Sequence, residues 1–365
     1  MSQLLKDKID PQNIKKLAVL INKQAPDFDI ESFQKAVLTK KWAGLSLKQR
    51  IRHLTLKLNQ YLNSPKERTY QACLACIKPV SIEFSGLFHF VFSDYVECFG
   101  LAFFDESIEA LALFTQNSTS EFAIRVFLES QADKTKRQLI VWAKSDNAHL
   151  RRLASEGVRP KLPWSKHLPW IAANPNWVKP IIETLKSDAS LYVRKSVANL
   201  LNDLSKNQPE WVLKRCKAWQ QEEVVTKETQ WIIKHALRTL LKQGQSDALA
   251  IIGYGSIDHL SLMDWQSNKR VGIGDKLDFS FGLRSSMRLG LLRLEYAVSF
   301  LRKSQKPFRK VFKIAESDYS VIEKQFTKHH NFKRISTRTY VAGVHTLELI
   351  VNGQCMKTVQ FELVE

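Results

Sequence analysis

Three segments decide the fold: LRRLAS (150–155), VRKSVA (193–198) and IKHALR (233–238). They begin 43 and 40 residues apart, and each runs from an apolar residue through one or two basic residues to small or apolar ones. No strand-like alternation separates them, so each copy reads as one helix of a helix pair. A period of roughly 40 to 47 residues built from paired helices is the pattern of HEAT-type repeats, which stack into an α-solenoid. Arg151 and Arg152, Arg194 and Lys195, and Lys234 and His235 fall at the same register. Stacking is expected to line these residues up as a basic stripe, with the dimensions of a phosphate backbone.

The helical pattern extends outward from the repeats to about residue 255. In NIKKLAVLI the residues Ile14, Leu17, Ala18 and Ile21 share one face, and Ile51, Leu54 and Leu58 do so in SLKQRIRHLTLKLNQYL. The aromatic run LFHFVF (87–92) fits a buried helix or an extended piece equally well. After IIGYGS the period changes to two. Leu277, Phe279, Phe281 and Leu283 alternate, as do Leu292, Leu294, Tyr296, Val298 and Phe300. Strands through Leu347, Leu349 and Val351 and through Val359, Phe361 and Leu363 flank Asn352-Gly353, a strong hairpin signal. The expected architecture is mainly α: a HEAT-like repeat α-solenoid followed by a small C-terminal antiparallel β-sandwich, immunoglobulin-like in form. The boundary is expected near 256–270, giving domains at 1–257 and 268–365.

Charge is the first clue to function. Lys plus Arg number 55 against 36 Asp plus Glu, a formal net charge of +19 with a pI near 9.7. From Ser256 onward 18 basic residues face 11 acidic ones, and the part before it, with 37 against 25, is basic as well. An excess spread in this way points to a polyanionic partner, most often nucleic acid, and fits poorly with a protein-binding adaptor. The five cysteines, at 73, 76, 98, 216 and 355, form no disulfide framework. Cys73 and Cys76 lie in an apolar helical pattern without a second zinc pair, so they read as buried helix residues. With neither a signal peptide nor a membrane-length apolar run, the expected location is the cytoplasm.

Glu156 is the odd residue in NAHLRRLASEG. With Asn147 as N-cap and Gly157 at C′, it falls in the last helical turn, where the macrodipole disfavours an anion by roughly 0.3 to 1 kcal/mol. Its i−4 neighbour Arg152 precedes it, the weaker orientation for such a pair. The loop that follows, VRPKLPWSKHLPW, is stiffened by Pro160, Pro163 and Pro169. It sets Trp164 and Trp170 among Arg159, Lys161 and Lys166, and aromatics among cations can stack on a base or sugar while the cations hold phosphates. Trp170 reads better as a cap on the solenoid core. Glu121 opens EFAIRVFLES, where a helix N-terminus already accounts for a carboxylate. There is no GxGxxG, P-loop, HExxH or GxSxG motif, and His329 and His330 are expected to be exposed.

EFAIRVFLES, HLRRLASEGVRPKLPW, YVRKSVANLLNDLSKNQPEWV and KHALRTLLKQG, in this order and spacing, resemble the bacterial alkylpurine DNA glycosylases built from HEAT-like repeats, specifically the AlkC branch. The resemblance runs over nearly the whole chain. It implies hydrolysis of the N-glycosidic bond of cationic alkylated bases (3-methyladenine, 3-methylcytosine, 1-methyladenine) in duplex DNA, with no metal and no cofactor, by a monomer. It makes Glu156 the main catalytic candidate, with Glu121 second, Trp164 packed on the sugar or lesion, and Arg152 orienting Glu156. Arg151, Arg159, Lys161, Lys166, Arg194, Lys195, Lys234 and Arg238 become the expected DNA-binding residues. The competing reading is a non-catalytic HEAT-repeat scaffold that binds DNA.

Overall fold

The computed structural model describes residues 5–63, 67–302, 307–334 and 339–365. Among these residues helices run from Pro11–Gln24 to Ser246–Ile252, and eight strands follow from Leu260 onward. Pro11–Gln24 starts on Asp10, whose carboxylate accepts from the Asn13 amide at 2.7 Å. Its apolar stripe, Ile14, Leu17, Ala18 and Ile21, is fully buried. LFHFVF resolves as a turn leading into the helix Phe90–Phe99, with Val91 and Phe92 in the core. The chain divides into two compact units, Met1–Gln208 with Thr226–His235, and Pro209–Val225 with Ala236–Glu365.

In the first unit the first two repeat copies lie as expected. Ala148–Glu156 packs against Ala132–Ala143 and against Leu191–Leu204, the helix of the second copy. Ser155 and Ser196 mark the crossing, with their hydroxyls 2.7 Å apart. The third copy is broken. Lys227–Ala236 ends one residue before Arg238–Lys242, with Leu237 between them at ψ −1°, so IKHALR spans two short helices that fall in different units.

In the second unit the strands are β1 (Leu260–Ser267), β2 (Arg270–Gly272), β3 (Lys276–Ser285), β4 (Gly290–Phe300), β5 (Phe308–Tyr319), β6 (Glu323–Asn331), β7 (Gly343–Val351) and β8 (Gln354–Val364). They form one sheet of order β1-β3-β6 and another of order β2-β8-β7-β4-β5. All pairs are antiparallel except β2 with β8, which is parallel. Leu277, Phe279, Phe281 and Leu283 from one sheet and Leu294, Tyr296, Leu347 and Leu349 from the other share a single core. Each such side chain contributes ~1.5–3 kcal/mol when fully buried. The β7–β8 turn has Asn352 at φ 46° and Gly353 at φ 76°, the double left-handed conformation that an Asn-Gly hairpin requires.

One strand carries more than its alternation shows, and one expectation needs correction. β4 is buried on both faces, because Arg293 on its other side is enclosed between Glu295 (2.6 Å) and Glu316 (3.6 Å), while Tyr254 donates to Glu316 at 2.6 Å. His330, expected at the surface, is buried: its Nδ1 lies 3.0 Å from the Tyr296 hydroxyl and its ring meets Phe312 edge-on, whereas His329 on the opposite face of β6 is exposed.

Candidate active site

Glu156 is the last residue of its helix and is only 5% exposed. Asn147 caps the start of that helix, accepting from the His149 amide at 2.8 Å. The chain leaves through Gly157 at φ −60°, not in the left-handed form. Glycine is required here by crowding: a Cβ would stand 2.6 Å from Ile124 Cγ2 and 3.2 Å from the Leu153 carbonyl.

The unfavourable dipole at Glu156 is offset by two guanidiniums. Arg159 Nη1 donates to Glu156 Oε1 at 2.6 Å, and Arg152 Nη2 lies 3.7 Å from the same oxygen. Arg159, expected to face phosphates, is thus a buried partner of Glu156, and its Nε reaches Asp203 Oδ2 at 3.0 Å. Burial works against its charge, but Glu156 and Asp203 on either side outweigh it and hold its pKa above the ordinary value. Arg152 makes its tighter contact elsewhere, with Glu121 Oε2, and donates to Thr119 Oγ1 at 2.8 Å. The Thr119 hydroxyl in turn donates to Glu121 Oε2 at 2.8 Å. Glu121 itself does not open a helix, since that helix is Ile124–Ser130; the residue sits in the preceding turn, 8% exposed.

The result is a ladder of alternating charge, Glu121, Arg152, Glu156, Arg159 and Asp203, that crosses three sequence segments. One oxygen of each glutamate is tied down. The other, Oε1 of Glu121 and Oε2 of Glu156, accepts no hydrogen bond among the described residues, and neither is sealed from solvent. Held carboxylates with one open oxygen each can face a developing positive charge or orient a water molecule.

The loop after Glu156 is anchored by Arg125, which sequence reasoning missed. Its guanidinium donates to the carbonyls of Gly157 (2.9 Å), Arg159 (2.9 Å) and Lys166 (2.6 Å). Burial alone accounts for most of its lowered pKa, about 10. On this loop Trp164 is 57% exposed and adopts φ 62°, a conformation that costs a bulky residue ~1–2 kcal/mol. Lys48 donates to its carbonyl and lies 4.8 Å from the centre of the Phe122 ring. Among the described residues no hydrogen bond or ion pair ties the Trp164 side chain to the charge ladder, and its carbonyl is held by the same Lys48 that lies against Phe122, the neighbour of Glu121. Trp170 is half-buried and meets Trp177 edge-on at 5.1 Å, in keeping with a packing role.

The expected basic stripe divides into structural and surface residues. Arg151 pairs with Asp188 (2.6 and 3.2 Å) and donates to the carbonyls of Ser145 and Asp146, both at 2.9 Å. Arg194 donates in the same way to Asp188 (2.9 Å) and Ala189 (2.7 Å), and its guanidinium faces the Trp231 ring at 5.8 Å. At this register each arginine closes the turn that leads into its own helix. Lys195 and Lys234 are exposed, as is Lys166, which pairs with Glu129 at 2.8 Å; Lys161 and Arg238 are half-buried. Among the residues missed, Asp203 left a signal: it lies two helical turns after Ser196, on the face that meets the Glu156 helix. Thr119 and Tyr192 left none.

Residues 1–240 match the family described as DNA alkylation repair enzyme, and residues 263–365 match the C-terminal Ig-like domain of the uncharacterised protein YhaZ. Over 361 residues the chain is 42% identical to YhaZ of Bacillus subtilis (strain 168), covering 98% of this chain and 99% of that one. It is also similar, over the full length of both chains, to the Pseudomonas fluorescens alkylpurine DNA glycosylase AlkC in a structure bound to DNA containing an abasic site analogue, with 31% identity and a TM-score of 0.90. Among the described residues no helix is long and apolar enough to cross a membrane, and no group of His, Cys, Asp and Glu has the arrangement of a metal site.

Proposed function

This chain belongs to the DNA alkylation repair enzyme family, and from that premise we propose that it is a monofunctional DNA glycosylase acting as a monomer on duplex DNA. Its substrates in this reading are cationic alkylated bases: 3-methyladenine, 3-methylcytosine and 1-methyladenine. The observation that carries the reading is the pair of buried glutamates joined through Arg152, each with one oxygen left open.

A base already carrying positive charge leaves without being protonated. The C1′–N bond breaks, its electron pair neutralises the base, and the deoxyribose takes on oxocarbenium character. Glu156 and Glu121 face that charge, and their fixed positions mean that little reorganisation accompanies the reaction. Water then adds to C1′ and gives up a proton to a carboxylate or to solvent, leaving an abasic sugar. The chemistry calls for neither metal nor organic cofactor. Arg152 and Arg159 set the orientation of the carboxylates, Trp164 packs against the sugar or lesion, and Lys161, Lys166, Lys195, Lys234 and Arg238 grip the backbone. Residues 1–257 would carry binding and catalysis, and residues 268–365 would form the Ig-like domain.

The test is release of free base from duplexes containing 3-methylcytosine or 3-methyladenine. Wild type is expected to release it, Glu156→Gln to do so about 100-fold or more slowly, and Glu121→Gln to fall in between. No release by the wild type at any salt concentration supports a non-catalytic DNA-binding scaffold. That reading is favoured by one observation, the tight clamping of Glu156 by Arg159, which also serves as a structural ion pair.

A further inference from the structure

Tyr192 is the second residue of the helix Leu191–Leu204, and the residue is 41% exposed beside Arg152 of the charge ladder. The Arg152 guanidinium lies 5.3 Å from the ring centre, and His149 meets the ring edge-on at 5.6 Å. These two contacts fix the ring while leaving part of it open. Burial raises the phenol pKa first of all, with Glu121 and Glu156 adding to the rise and Arg152 opposing it, so the group is neutral at physiological pH and within electrostatic reach of both glutamates. Leu191, the residue before it, is exposed as well.

The charges that act on this ring are the carboxylates Glu121 and Glu156 with Arg152 between them, while Asp203 at the far end of the ladder is shared by Arg159 (3.0 Å) and Lys206 (3.2 Å). The open oxygens of the two glutamates suit a cation. A neutral aromatic face adds to this, since the ring quadrupole attracts positive charge without competing for the water that a third open carboxylate would hold.

We propose that Tyr192 is a substrate-contacting residue whose open ring face meets the deoxyribose as it acquires positive charge. This rests on the glycosylase reading above. The ring selects for the charged sugar over a neutral one of the same shape, and thereby acts on the reaction step rather than on general DNA binding.

The experiment measures binding to duplexes carrying either a cationic 1-azaribose or a neutral tetrahydrofuran at one position. Wild type is expected to prefer the azaribose. Tyr192→Leu is expected to lose roughly 2- to 30-fold of that preference, with affinity for undamaged duplex unchanged, and Tyr192→Trp to keep or increase it. Tyr192→Gln, which also lacks a ring, gives the same result if the leucine variant does not fold. A ring-free variant with the full preference, or a wild type with none, overturns the assignment. Base release by the wild type is measured in parallel: its absence overturns the glycosylase reading, whereas release together with an unchanged preference in the ring-free variants overturns only the role of Tyr192.

Discussion

His89 shows what complete burial does to a single titratable residue. Its ring has no exposure, neither nitrogen has a hydrogen-bond partner among the described residues, and Phe92 and Phe114 meet it edge-on. Burial lowers its pKa from 6.5 to about 4. The folded state therefore resists a proton that the unfolded chain accepts. Stability from this group is complete above pH 6.5 and is lost as pH falls from 6.5 towards 4, by up to about 3 kcal/mol. His89→Leu should flatten that part of the thermal stability profile, seen as the difference between variant and wild-type melting curves from pH 7 to pH 4. Parallel curves would show that His89 is not the group responsible. Residues such as Glu156 were legible in the sequence because they violate a local rule, here the helix dipole. Asp203, an anion in the last turn of Leu191–Leu204, breaks the same rule, whereas Thr119 and Tyr192 obey every local rule and enter the site only when distant segments pack together.

At the scale of elements, the repeat register carries two different functions. Arg151 and Arg194 each satisfy the two carbonyls five and six residues before them, so the turn into the helix is closed the same way in both copies. Lys195, next to Arg194, is exposed. Lys195→Ala should weaken binding to duplex DNA and lower the slope of log affinity against log salt by about 1. Arg151→Ala should instead lower the melting temperature and leave that slope unchanged; the reverse pattern would return Arg151 to the DNA interface. The repeats could be read because each helix keeps its own apolar stripe. Strand β3 could be read because its second face is largely open. The alternation along β4 hides a second buried face with an ion pair, and β5, at the edge of its sheet, has no alternation to find.

At the scale of the molecule, the tip of the β7–β8 hairpin is seated against the turn between Arg238–Lys242 and Ser246–Ile252. A Cβ on Gly353 would lie 2.5 Å from Leu249 Cδ1 and 2.9 Å from Gly244 Cα, and its φ is 76°. Gly353→Ala should destabilise the second unit by about 2–5 kcal/mol, from backbone strain and overpacking together, seen as a lower transition temperature. An unchanged transition would mean that the hairpin tip moves away at little cost. The sequence places a change of period near residue 256, but the contacts of this turn join the last helices to the strands, and no local pattern reveals that. Arg125 has a consequence of another kind. It fastens the loop after Glu156 through three main-chain carbonyls, so beyond Gly157, which crowding fixes as glycine, the path of the loop is held through the main chain and not through the side chains it carries. Residues such as Lys161, Ser165 and Lys166 are free to be exchanged over evolutionary time while the scaffold beneath them stays put. A lineage carrying this arginine can retune what the loop presents by single substitutions without having to solve the folding problem again.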